Sequence, residues 1–270
     1  MKLKFLGTGA AGGVPIYGCT CEACRAAQRD NSLGRQPCSV LIETAEESIL
    51  VDGGLHDLGR RFPVGSLTRI FLTHYHMDHV QGLFHLRWGC NTRIPVHGPA
   101  DQHGCADLFD HPGILDFSPV MQAFETKTFG SLDVTPVPLN HSKMTLGYCF
   151  QDDTSRIAYL CDTAGLPPET RSFLERWQPD HIVLDCTYPP RESQPDNHHD
   201  FTMALGFADD FTSARICLTH ISHSFDAWLH HHQDVLPPHM QIATDGMELL
   251  PERVFVAAAG QTVNVIPTAG

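Results

Sequence analysis

The sequence predicts an α/β fold, expected as one domain over residues 1–270. Three observations carry that prediction. Short β-branched and apolar runs recur along the chain as strands, separated by segments of helical pattern. With 42% hydrophobic residues in 270, the chain can bury a sizeable core. Several strands are followed at once by residues that bind divalent metals, so their loops are expected to meet at one sheet edge.

Composition narrows the function classes. Lys and Arg total 18 against 31 Asp and Glu, a net charge of −13 with His neutral. That balance argues against a nucleic-acid-binding surface, which needs a basic face. It leaves room for a phosphate substrate, because bound metals supply positive charge locally. The apolar run Leu3 to Leu6 is short and stops at Gly7, so no secretory signal is read. No stretch approaches the roughly 20 apolar residues of a membrane helix. The ten cysteines then read as free thiols and metal ligands rather than disulfides, in a cytoplasmic protein.

Lys2 to Leu6 alternates polar and apolar, as an opening strand does. Gly7-Thr8-Gly9-Ala10-Ala11-Gly12 matches G-x-G-x-x-G, but Gly13, Val14 and Pro15 follow where a dinucleotide site requires a helix. It reads as a tight backbone turn near an active site. Cys19, Cys21 and Cys24 form C-x-C-x-x-C, in what reads as a Gly-flanked loop. Three thiols so spaced can face one tetrahedral ion, with zinc the default, and a closed site needs a fourth ligand. Cys38 is nearest in sequence; His223 is a distant alternative.

Cys38 to Glu43 and Ser48 to Asp52 read as paired strands around a polar turn. Asp52 is either a turn residue or a hydrogen-bonding partner that orients a metal-bound histidine. A short helix covers Asp57 to Arg61. The strand at 69–73 leads into His74-Tyr75-His76-Met77-Asp78-His79, three imidazoles and a carboxylate within six positions. In extended chain His74 and His76 point to one side and can clamp one ion, while Asp78 and His79 turn toward a second. A helix is expected from Asp78 into Leu86.

Ile94 to His97 is a short strand, and Ala100 to Phe109 reads as a helix. His97, His103 and His111 lack ligand-type neighbours and read as structural or solvated. Ser131 to Leu139 holds Pro136 and Pro138, which predict an edge or irregular strand; it ends in Asn140-His141-Ser142-Lys143. Leu146 to Gln151 and Arg156 to Cys161 form a strand pair ending at Asp162. Pro167 to Trp177 is a helix with Pro168 in its first turn. His181 to Cys186 is a strand, 189–200 a polar loop carrying His198 and His199, and Phe201 to Phe211 a helix. Arg215 to Thr219 is a strand ending at His220-Ile221-Ser222-His223, after which Ser224 is expected to cap a helix running to about His231. His230, His231 and His232 read as solvated. Met240 to Ala243 and Arg253 to Ala257 are candidate closing strands.

His74, His141, Asp162 and His220 all fall directly after apolar strands or within two residues of them. Together with His76, Asp78 and His79 they make seven ligands, a number that suits two ions. His74, His76 and His141 would hold the first, Asp78, His79 and His220 the second, and the Asp162 carboxylate, with two oxygens, would bridge. Two ions about 3.5–4 Å apart activate water and bind attacking and leaving oxygens alike. Lactams, thioesters and phosphodiesters are all open to that chemistry.

The H-x-H-x-D-H segment resembles the signature of the metallo-β-lactamase superfamily. That resemblance assigns the same ligand roles, and it implies an αββα four-layer sandwich of two mixed sheets with helices outside. A narrower resemblance rests on the Gly7–Pro15 turn, Cys19-x-Cys21-x-x-Cys24, Arg35-Gln36-Pro37-Cys38-Ser39, Leu72 to Leu83, Leu139 to Lys143 and Leu218 to His223. These are similar to the phosphoribosyl cyclic phosphodiesterases that accompany carbon–phosphorus lyase in phosphonate breakdown, up to about Glu248. The resemblance implies hydrolysis of 5-phosphoribosyl 1,2-cyclic phosphate to ribose 1,5-bisphosphate, with 2′,3′-cyclic nucleotides as side substrates. It implies His223 as fourth ligand of a structural zinc, His198 rather than His199 as the general acid, manganese in the active site with zinc or nickel as alternatives, and a homodimer. Rival readings are a tRNA 3′-processing endonuclease, disfavoured by the charge and by the lack of a basic arm, a quinone-cofactor biosynthesis relative, a glyoxalase-type thioesterase and a non-catalytic zinc module.

Overall fold

Alternation along the strands decides the layering. Leu3 and Phe5, Val40 and Ile42, and Ile49 and Val51 enter one apolar cluster, whereas Leu6, Leu41 and Leu50 between them enter another on the opposite face. Strands buried on both faces need cover on both, which a second sheet and a helical layer supply. The computed structural model describes residues 1–250. The first half supplies β1 (Lys2–Gly7), β2 (Ser39–Glu43), β3 (Ser48–Val51), β4 (Arg69–Phe71), β5 (Ile94–His97) and β6 (Leu115–Asp116). The second supplies β7 (Lys127–Phe129), β8 (Leu132–Leu139), β9 (Thr145–Gln151), β10 (Arg156–Leu160), β11 (His181–Asp185), β12 (Arg215–Thr219) and β13 (Met240–Ile242), before β14 (Glu248–Leu249) returns to the first sheet. Each sheet has seven strands, in the orders β14-β1-β2-β3-β4-β5-β6 and β13-β12-β11-β10-β9-β8-β7. Both are antiparallel at one end and parallel at the other.

The core between the sheets joins Phe5, Val51 and Phe71 to Tyr148, Phe150, Tyr159 and Val183. On the outer face of the first sheet lie α2 (Leu58–Arg61), α3 (Met77–Val80), α4 (Leu83–Leu86) and α5 (Ala106–Asp110); on the second lie α6 (Pro168–Trp177), α7 (Phe201–Asp210) and α8 (His223–Leu229). The remaining helix, α1 (Glu22–Arg29), packs with α8. Among the described residues no helix is long and apolar enough to cross a membrane.

Several local expectations need correction. The cysteine segment is not all loop: Cys21 caps α1 and Cys24 lies within it. The helix expected from Asp78 to Leu86 is broken into α3 and α4 at Gly82. There a Cβ would stand 2.0 Å from the Leu55 carbonyl oxygen, and the Gly82 N–H donates to Gly53. Residues 100–105 turn instead of winding into α5, because the Asp101 carboxylate accepts from the His103 N–H at 3.0 Å. β8 is the second strand of its sheet, but only its first residues have an outer neighbour, and the proline-bearing part is the edge that the prolines predict. β7 pairs only with its Leu132–Val134 portion, so Pro136 and Pro138 lie where no strand requires their missing N–H. The cap of α8 is Ser222, which accepts from the Phe225 N–H, rather than Ser224. The strand expected at Arg253 to Ala257 lies outside the described residues.

Candidate metal centre

β4 ends at Phe71, and the chain crosses Thr73 into the His74–His79 segment over the carboxyl end of the first sheet. The segment sits close on the end of β3. A Cβ at Gly54 would fall 1.7 Å from the Asp78 carbonyl oxygen, so only glycine permits this approach. The second sheet delivers His141 after β8, Asp162 after β10 and His220 after β12. His220 has a left-handed φ of 59° and is held by the glycine-rich turn of residues 7–12. The Ile221 N–H donates to the Thr8 carbonyl at 2.8 Å, and the Ala10 N–H donates to Ile221 at 3.0 Å. The turn therefore does lie beside the site.

These side chains converge in two adjoining groups, His74 with His76 and His141, and Asp78 with His79, Asp162 and His220. In the first, His76 Nδ1 stands 2.9 Å from His74 Nε2 and 3.0 Å from His141 Nε2. In the second, Asp78 Oδ2 lies 3.4 Å from His79 Nε2 and 3.5 Å from His220 Nε2. Asp162 Oδ2 is 3.2 Å from His79, 3.5 Å from His220, 3.7 Å from His74 and 3.9 Å from His141, so one carboxylate faces both groups. The donor set fits divalent cations. His74 Nδ1 and His141 Nδ1 are already engaged by Thr73 Oγ1 and the Asn197 carbonyl, which leaves Nε2 lone pairs converging on His76. A shared cation resolves that convergence, and N and O donors suit first-row metals.

Two buried carboxylates orient the histidines from behind. Asp52, at the end of β3 with φ 63°, accepts from the Thr73 N–H at 2.9 Å and from His79 Nδ1 at 2.8 Å. The Thr73 hydroxyl reaches both Asp52 oxygens at 3.0 Å and accepts from His74 Nδ1 at 3.0 Å. Asp185, the last residue of β11, repeats the device. It accepts from the Thr163 N–H at 3.0 Å and from His198 Nδ1 at 2.9 Å. The Thr187 hydroxyl donates to it at 2.9 Å and accepts from His220 Nδ1 at 2.7 Å. Such partners fix tautomer and ring direction, leaving Nε2 for a metal or substrate. Asp185, Thr73 and Thr187 are not among the residues that the sequence motifs point to. Their signal is that of Asp52, a polar residue closing an apolar strand.

The electrostatics follow from burial and charge pairing. Burial and the neighbouring His79 hold His74 well below the ordinary imidazole range. Burial also opposes protonation of His79, but the Asp162 and Asp52 carboxylates outweigh it and raise its pKa well above normal. Burial would raise Asp162, yet His220 and His79 keep it well below the usual carboxylate range. His198 lies between His141 and His220, with ring centroids 5.1 and 4.9 Å away. Burial lowers its pKa, the Asp185 carboxylate raises it, and the net shift is upward. His199 points away, buried at 1% exposure, and its Nε2 accepts from the Gly165 N–H.

Cys19, Cys21, Cys24 and His223 form a separate cluster. His223 Nδ1 is 3.3 Å from Cys19 Sγ and 3.5 Å from Cys21 Sγ. Burial pushes the Cys24 thiol up to about 12. Three sulfurs and one imidazole fit a closed tetrahedral ion. Cys38, the nearer candidate in sequence, sits instead in the inter-sheet core, 3.2 Å from the Tyr159 hydroxyl and 3.8 Å from Cys161 Sγ.

Comparison with known proteins agrees with this architecture. Residues 47–221 match the family model of the β-lactamase superfamily domain. The chain is 28% identical over 271 residues to an octanoyltransferase of Porphyromonas gingivalis, covering 93% of this chain and 51% of the relative. It is 27% identical over 110 residues to coenzyme PQQ synthesis protein B of Rhodopseudomonas palustris, 36% of each chain. The chain thus spans about half the length of the first relative and about a third of the second. Among solved structures, a new diphosphatase from the PhnP family superposes with a TM-score of 0.75 at 23% identity, covering 92% of this chain and 96% of the other. Zn(2+)-bound PqqB from Methylobacterium extorquens gives 0.74 at 18% over 92% and 99%, and human tRNase Z, short form, gives 0.63 at 20% over 93% and 99%. The four-layer fold implies divalent metal ions, and the clustered His and Asp side chains supply candidate sites for them. From its matched domain and its pair of stacked mixed sheets, the chain belongs to the metallo-β-lactamase superfamily.

Proposed function

We propose that the protein is a phosphodiesterase that opens a five-membered cyclic phosphodiester, with 5-phosphoribosyl 1,2-cyclic phosphate as substrate and ribose 1,5-bisphosphate as product. The observation that carries this reading is His198, held on Asp185 beside the seven-residue cluster. A sugar alkoxide is too basic to depart unaided and needs a proton, whereas a thiolate leaving group does not. His198 keeps Nδ1 on Asp185, so Nε2 is the nitrogen left to deliver that proton, an effect worth about 10²–10⁴-fold. His74, His76 and His141 would hold one divalent ion and Asp78, His79 and His220 a second, with Asp162 between them. Manganese is the expected metal, with zinc or nickel as alternatives. When bound, these ions activate water and screen the phosphate charge. Asp52 and Asp185 keep the ligand rings aligned. Cys19, Cys21, Cys24 and His223 would hold a structural zinc outside the reaction. The PhnP-family diphosphatase among the structural neighbours is consistent with phosphate-ester chemistry.

The test is a substrate panel on manganese-loaded protein. Turnover is expected for ribosyl 1,2-cyclic and nucleoside 2′,3′-cyclic phosphates, ahead of precursor tRNA and acyl thioesters. Failure on every cyclic phosphodiester would reject the assignment.

A further inference from the structure

Tyr188 lies beside His198 on the segment between β11 and α7, with Arg191 stacked on it. The Arg191 guanidinium carbon stacks 3.5 Å over the Tyr188 ring centroid. The Tyr188 ring meets His198 edge to face at 6.1 Å. Both residues stand at the anchored base of the 189–200 loop. The Arg191 N–H donates to Asp200 at 3.0 Å, Tyr188 bridges to Asp200, and the Phe201 N–H donates to the Tyr188 carbonyl at 2.9 Å. Asp200 is itself buried and caps α7 through the Met203 N–H.

Stacking occupies the face of the guanidinium and leaves its N–H edge free. Among the described residues no carboxylate pairs with that edge, although Glu192 and Asp196 share the loop. Arg35, Arg61, Arg69, Arg87, Arg93 and Arg171 each face a carboxylate, whereas among the described residues Arg191, like Arg25, Arg29, Arg60 and Arg176, does not; what sets Arg191 apart from those four is its stacking on a ring that meets His198. In a chain of net charge −13, an exposed arginine whose guanidinium has no acidic partner and is stacked on an aromatic ring next to His198 is equipped for an anion from solution.

We propose that Arg191, stacked on Tyr188, is a subsite for a second anionic group of the substrate, a phosphate monoester such as the 5-phosphate of a phosphoribosyl cyclic diester. This rests on the phosphodiesterase reading. With the scissile phosphate at the His and Asp cluster and the departing oxygen at His198, the sugar continues past His198 toward Tyr188. A phosphate monoester there meets a planar fork that pairs bidentately with phosphate oxygens. The tyrosine ring restrains the guanidinium beforehand, so less side-chain freedom is lost on binding.

The test compares ligands that differ only in the 5-phosphate. The wild type should favour a 5-phosphorylated ribosyl 1,2-cyclic phosphate over its 5-hydroxyl counterpart in kcat/KM, mainly through KM. In Arg191→Met that preference should fall by about tenfold or more, the scale of a lost charge-assisted contact, with Arg191→Lys intermediate. A preference unchanged in Arg191→Met overturns the subsite. Equilibrium binding of ribose 1,5-bisphosphate against ribose 1-phosphate is measured in parallel on the metal-loaded proteins. If neither cyclic diester is turned over, the reading of the reaction falls, and this binding ratio still judges the subsite. A ratio that collapses in Arg191→Met supports it, and an equal ratio in both proteins rejects it.

Discussion

Asp52 in the first sheet and Asp185 in the second are built alike. Each ends a strand of a parallel run, is fully buried, and accepts one backbone N–H, one threonine hydroxyl and one imidazole. Each reaches a further histidine through its threonine, His74 from Asp52 and His220 from Asp185. They differ in the histidine held directly. Asp52 grips His79, a candidate ligand of the metal pair, whereas Asp185 grips His198, which lies outside the two groups of the seven residues but converges with Asp162, Asp185 and His220 in a further possible metal group. Under the proposed function, the same local device would serve metal alignment on one side and proton delivery on the other. The element that carries the histidine makes the difference: His79 is locked in α3, while His198 sits on a loop closed at its base by Asp200.

The largest expected effect falls where the two halves meet. Asp162→Ala removes the oxygen facing both groups. It should abolish turnover and lower bound divalent metal in elemental analysis, with the far-UV circular dichroism preserved. Two retained ions with full activity would remove Asp162 from the bridging place. Next comes His198→Ala, expected to cut kcat on cyclic phosphodiesters by about 10²–10⁴-fold while both ions stay bound. The loss should shrink on a nitrophenyl phosphodiester, whose leaving group needs little protonation. Equal losses on both substrate types would point to positioning instead.

The pair Asp52→Asn and Asp185→Asn separates the work of the two carboxylates. Asparagine tolerates the left-handed backbone at residue 52, so the first variant should fold. It should weaken metal affinity by about 10–100-fold and regain activity when metal is raised to saturation. Asp185→Asn should stay impaired at saturating metal, because His198 has lost its anchor. Identical recovery in both would mean that Asp52 and Asp185 do the same work.

The smallest effect on the chemistry is expected from the sulfur cluster, which joins α1 to α8 and contains none of the seven candidate ligands. Cys24→Ser should lose one zinc. If free zinc stands a hundredfold above Kd, the stability lost is about 3 kcal/mol, which corresponds to roughly 6–12 °C in Tm for a chain of this size. Cys38→Ser should leave the zinc content unchanged. Zinc loss from Cys38→Ser but not from His223→Ala would reverse the choice of fourth ligand.

By itself the sequence determined the elements and the local chemistry. The period-two run Lys2–Leu6 reads as a strand from its alternation, and the runs at 181–186 and 215–219 read as buried strands from their shortness and β-branched content. His74, His76, Asp78 and His79 are close in space whatever the rest of the chain does, since six consecutive residues cannot separate far. The tertiary structure alone decided what depends on distant packing. Cys38 and His223 are both chemically fit to complete the cysteine cluster, and the inter-sheet core claims the first. His198 and His199 are neighbours of one type. The bridge between Tyr188 and Asp200 turns one toward Asp185 and the other toward Gly165. Asp185 carries no motif at all. It acquires its role only when β10, β11 and β12 lie side by side and bring Thr163, Thr187 and His220 around one carboxylate. Spacing along a chain encodes contacts over a few residues, and contacts between strands are set by register and burial, which no single segment contains.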